Sequence, residues 1–136
     1  MVRIFKNPRM KRILIIDDDH HILVMLKKML EKAGFEVDLA SNGVDGLELF
    51  QKIQADLVIT DIIMPEKEGL ETIREMKRIR SDLKIIAMSG GGKISADNYL
   101  ETAKIFGASL VLEKPFSQKT MVDAVLKLLG SEQEQG

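Results

Sequence analysis

Five residues stand where short apolar runs stop. Asp17 and Asp18 follow ILII (13–16), Asp61 follows LVI (57–59) and Thr60, Ser89 follows IIAM (85–88), and Lys114 follows LVL (110–112) and Glu113. Three adjacent aspartates, Asp17 to Asp19, repel one another, and partial burial strengthens the repulsion. Either the acids point apart into water or positive charge sits among them. If the runs are neighbouring strands, their ends bring three carboxylates, a hydroxyl and an ammonium to one rim. The pattern then predicts that the acids share a hard cation, with Lys114 as a second positive charge.

That rim requires a particular set of elements. The four apolar runs are short and continuous, as strands buried on both faces of a parallel sheet are. FEVDLA (35–40) alternates instead, as an edge strand does. Helical spacing lies between them. Ile22, Met25, Leu26 and Met29 form one apolar row, with Gly34 as a stop. Gly46, Leu49, Phe50 and Ile53 form a second, and Leu70, Ile73, Met76 and Ile79 a third. Ala96, Tyr99, Leu100 and Ala103 form a fourth, between Ser95 as N-cap and Gly107 as the end. Met121, Ala124, Val125 and Leu128 form a fifth, behind Ser117 as N-cap. Five β–α units without a linker or repeat predict a doubly wound α/β sheet with helices on both faces. Sites in such sheets gather at the carboxyl ends of the strands, where the five residues fall.

The bland readings assign the remaining polar residues. Asp19 starts the first helix as its N-cap. His20 and His21 point about 100° apart on a helix and so make no chelate; they are surface residues. Size and composition set further bounds. The chain has 136 residues, 45% hydrophobic and 30% charged, as expected of one globular domain. Its net charge of −1 gives no electrostatic case for nucleic acid, and zero cysteines exclude disulfides and thiolate metal sites. The apolar run behind the basic start is too short for a signal peptide or a membrane span, so a cytoplasmic protein is expected. Residues 1–10 read as an irregular lead-in and 131–136 as a polar tail.

The set in order resembles the receiver domain of two-component response regulators. ILIIDDD, LVITDIIMPEKEGLE, IIAMSG and LEKPF carry the resemblance, which covers about residues 11–130. It implies a flavodoxin-like fold of five parallel strands in the order 2-1-3-4-5 with five helices. It implies that Asp61 is the phosphoacceptor for a histidine kinase or phosphotransfer protein. Asp18 would bind Mg²⁺ directly, Asp17 mostly through water, with Asp61 and the backbone carbonyl of Ile63 as further ligands. Ser89 would be the switch hydroxyl, Lys114 would bind the phosphoryl group, and Lys114–Pro115 would be cis. The output would go to a downstream protein target, with neither nucleic acid nor membrane contacted by this chain.

Three departures qualify the resemblance. Val111 stands where the family commonly has the Tyr or Phe that switches with the hydroxyl. The stretch from Ser89 to Lys114 is longer than usual, with the excess in GGGKIS. Ile63 and Gly91, which flank the site, offer no polar side chain to orient an attacking water. Two rivals remain open. A phosphatase of the haloacid dehalogenase kind would use Asp17 and Asp19, but His21 stands where its Thr belongs. A receiver-like binding module would work without phosphate.

Overall fold

The computed structural model describes residues 10–62, 69–90, 101 and 103–130. Strands β1 (Arg12–Ile16), β2 (Glu36–Ala40), β3 (Leu57–Asp61), β4 (Lys84–Ser89) and β5 (Leu110–Glu113) form one parallel sheet in the order β2-β1-β3-β4-β5. Helices α1 (His20–Lys32), α2 (Gly43–Lys52) and α3 (Gly69–Ile79) lie between the first four strands. The fourth helix, α4, is described at residues 101 and 103–106, and α5 (Gln118–Leu129) follows β5. Architecture and strand order are those expected from the sequence.

The apolar runs of β1, β3 and β4 are continuous because both faces are covered. LVL, expected to be buried on both faces, instead forms an edge strand, β5, and is only half-buried because no strand lies beyond it. Ile13, Ile15, Leu57 and Ile59 pack with Leu23 and Leu26 of α1 and Met121 and Val125 of α5. Leu14, Ile16 and Val58 point the other way, onto Phe50 of α2, Ile73 and Met76 of α3, and Ala103 of α4. Strand side chains alternate between faces, so one run feeds two cores. β2 is an edge strand: Val37 is buried while Glu36 and Asp38 are half-exposed.

Two expected helical rows shift. In α1 the buried residues are Leu23, Leu26, Met29 and Leu30, and Met25 is exposed. The row that faces the sheet is one residue over from the expected one, because Leu26 to Leu30 continues it and Met25 lies about 100° from Leu26. In α3, Ile73 and Met76 are fully buried but Ile79 is exposed. Every-third spacing slips by about 60° per step, so Ile79 lies about 120° from Ile73. The caps Asp19 and Ser117 fall where expected, accepting from the N–H groups of His21 and Thr120. Gly107 closes α4 at φ +125, a backbone region that glycine enters without steric cost. Ser95 and residues 96–100 lie outside the described residues.

Candidate functional site

β1 and β3 are neighbours, with Ile16 opposite Thr60, so Asp17 and Asp61 leave the sheet side by side. β4 and β5 end on the same rim, where Ser89 lies opposite Glu113 and its carbonyl accepts from the Lys114 N–H at 2.8 Å. Lys114 reaches back across the sheet. Its Nζ is 2.8 Å from Oδ2 of Asp17 and 3.4 Å from Oδ2 of Asp61. The other Asp17 oxygen, Oδ1, accepts from the Asp19 N–H at 2.8 Å. Asp17 is fully buried and Asp61 and Ser89 nearly so, whereas Asp18 is exposed. The Lys114–Pro115 peptide is cis.

The site gathers like charge. Carboxylate oxygens of Asp17, Asp18 and Asp61 all lie within 4.8 Å of one another. Among the described residues one ammonium, that of Lys114, faces them. Burial is the largest influence on Lys114 and works against its charge. The hydrogen bond to Asp17 and the charges of Asp61 and Asp17 outweigh it, so its pKa lies above the ordinary lysine value. An all-oxygen donor set with one exposed member suits a hard divalent cation that keeps part of its water shell. Both Asp17 oxygens are already engaged, and Asp18 is the exposed member of the three.

The remaining residues singled out by the sequence scatter. Val111 is half-buried, opposite Ala87 in the register, and packs on the face away from α1 and α5. His20 and His21 are exposed at the start of α1. Ile63 lies outside the described residues. Met25, displaced from the α1 core row, instead helps line an apolar hollow of about 520 Å³ with Ile22, Pro115 and Phe116 beside Lys114. Thr60 reads in the sequence only as a strand residue, and Gly69 only as the glycine that follows Asp61 and Pro65 in the receiver-like motif, with no partner assigned to either. A Cβ on Gly69 would stand 1.9 Å from the Asp61 carbonyl oxygen.

A doubly wound sheet with paired acids, a further aspartate and a lysine converging on its carboxyl rim defines a phosphoacceptor module of the receiver type. The chain belongs to the response regulator receiver domain family, whose family model matches residues 13–126. It is 36% identical over 120 residues to the response regulator receiver protein CpdR of Brucella abortus, covering 88% of this chain and 98% of that protein. It is 37% identical over 119 residues to the chemotaxis protein CheY of Thermotoga maritima, covering 87% and 97%. Among solved structures, a response regulator receiver domain protein from Clostridium thermocellum superimposes with a TM-score of 0.81 at 32% identity, covering 93% of this chain and all of that one (100%). The protein is therefore a receiver domain of the two-component kind, a phosphoacceptor in signalling, and the phosphatase and phosphate-independent readings give way to it. Among the described residues, no helix is long and apolar enough to cross a membrane.

Proposed function

We propose that Asp61 accepts a phosphoryl group from the phosphohistidine of a histidine kinase or phosphotransfer protein, in a Mg²⁺-dependent reaction, and that residues 11–130 form the receiver unit. The observation that carries this is Lys114 Nζ lying between Asp17 and Asp61 inside a cluster of three carboxylates. A carboxylate oxygen of Asp61 attacks phosphorus, the N–P bond breaks as the O–P bond forms, and the histidine ring leaves with the electron pair. The product is an acyl phosphate. Lys114 neutralises one phosphoryl oxygen as a compact charge, and the Ser89 hydroxyl donates to another. Asp18, Asp61 and the Ile63 carbonyl would hold Mg²⁺, with Asp17 acting mostly through water. When bound, the ion supplies neutralisation at a third phosphoryl oxygen. Asp17 does a second job: its buried carboxylate holds the ammonium at the site. Zero cysteines suit a reducing cytoplasm, where a protein partner would read the switch.

Treating the protein with acetyl phosphate and Mg²⁺ and mapping the peptides by mass spectrometry tests the assignment. The phosphoryl group is expected on the peptide containing Asp61 and absent in EDTA. Labelling elsewhere, or labelling indifferent to Mg²⁺, overturns it.

A further inference from the structure

The peptide unit that follows Asp61 is held from every side. Its carbonyl oxygen accepts from the Thr60 hydroxyl at 3.1 Å. The same oxygen lies against the Cα of Gly69, where even a methyl group would stand 1.9 Å away. Its N–H, on Ile62, donates to the Met88 carbonyl of β4 at 2.9 Å. The next carbonyl, of Ile62, accepts from the Gly69 N–H at 2.7 Å. Two consecutive peptide units are thus fixed where the chain leaves the sheet, and the first turn of α3 is docked on them.

We infer that Thr60 and Gly69 are positioning residues for Asp61: the hydroxyl and the missing side chain together set the plane of the Asp61–Ile62 peptide and so aim the carboxylate. The inference rests on Asp61 being the phosphoacceptor. Two observations separate it from ordinary packing. Thr60 is fully buried among apolar residues, where Val would fill the same space at no polar cost, yet its hydroxyl is spent on this one carbonyl. Gly69 opens α3 with a φ outside the left-handed region, so its backbone is one that any residue adopts. Neither the helix nor a turn requires glycine there; the approach to Asp61 does.

The reaction depends steeply on aim, since about 1 Å of misplacement costs on the order of a hundredfold in rate. Thr60→Val keeps the shape and favours a strand, so the fold should survive with a thermal midpoint within about 3 °C of the parent. Its labelling rate with acetyl phosphate and Mg²⁺ should fall roughly five- to tenfold, and Thr60→Ser, which restores the hydroxyl, should recover it to within about twofold. Gly69→Ala must move the Asp61 carbonyl and should lose roughly a hundredfold in rate while retaining the circular dichroism spectrum of the parent. A Thr60→Val protein that labels at the parental rate overturns the inference. So does a Thr60→Ser protein as slow as Thr60→Val, or a folded Gly69→Ala protein of parental rate. If Gly69→Ala does not fold, the Thr60 pair decides. Asp61→Asn, run alongside, separates the two levels: if it labels like the parent, the phosphoacceptor assignment itself fails.

Discussion

The two rims of the sheet both carry charge, and they use it in opposite ways. At the amino-terminal rim several charges have close partners. Arg12 donates from its guanidinium to Glu36 at 2.6 Å and to Asp38 at 2.8 Å, and from its backbone N–H to Asp56 at 2.8 Å. Arg80 donates to the Ala55 carbonyl and lies 5.6 Å from the centre of the Phe50 ring. Lys77 spans the carbonyls of Ser81 and Leu83, and Lys84 reaches that of Leu128. Opposite charges and carbonyls alternate there, which ties strand starts to helix ends. At the carboxyl-terminal rim, among the described residues, three carboxylates crowd one ammonium. The contrast separates charge used for holding from charge kept for chemistry. The second is tolerated because a functional site can store strain that the remainder of the fold offsets.

The sharpest way to break this contrast is to remove chemistry without touching structure. Asp61→Asn should abolish acyl-phosphate formation, whereas Asp19→Asn, which alters only a helix cap, should leave it largely intact; equal losses would show that the triple aspartate is not divided as described. Next in size is Lys114→Met, which leaves Asp17 buried and unpaired and should cost about 3 kcal/mol at neutral pH in urea melts. Because the folded-state pKa of Lys114 is raised, its stabilisation is fully present below the unfolded value of about 10.4 and lost as pH rises through the folded value. The parent-minus-variant difference should therefore be flat from pH 6 to about 9 and shrink at higher pH; a difference that shrinks instead on acidification to about pH 6 would place the linkage on another group.

Smaller effects sharpen the comparison. Asp18→Asn should raise the metal-free melting temperature by about 4 °C, and Mg²⁺ should stabilise the parent but hardly the variant. A variant less stable than the parent in EDTA would mean that the carboxylates are not in conflict. In hydrogen exchange, beryllofluoride with Mg²⁺ should protect amides from residue 90 to 100 more than those at 109–113. Val111 is short and stiff at χ1, so the glycines after Ser89 have the greater freedom to lose; protection confined to 109–113 would reverse that ranking. At the amino-terminal rim, Lys84→Met should cost under about 1 kcal/mol and leave labelling unchanged. A loss of labelling there would join the two rims that the structure keeps apart.

Much of this was legible in one dimension. Parallel strands covered on both faces must be continuously apolar, so ILII, LVI and IIAM announce the interior of the sheet, and the polar residue ending each run announces the rim. LVL reads the same way but forms the half-buried edge strand β5. Asp17, Asp18, Asp61, Ser89 and Lys114 stand out in the sequence because each is a polar residue at the end of an apolar run. Side-chain orientation was less legible. The rows through Met25 and Ile79 are not settled by spacing, because a helical template fits adjacent stripes almost equally, and only the neighbouring sheet selects one. Tertiary structure alone decided which acid meets which partner. Nothing in DDD says that Asp17 is buried against Lys114, 97 residues away, while Asp18 faces out. It also decided the place of Thr60 and Gly69. One is a hydroxyl aimed at a carbonyl and the other an absence of atoms, and a sequence does not show which group stands across the gap. Periodicity reports which face is covered; proximity between distant segments is set by how the covered faces pack.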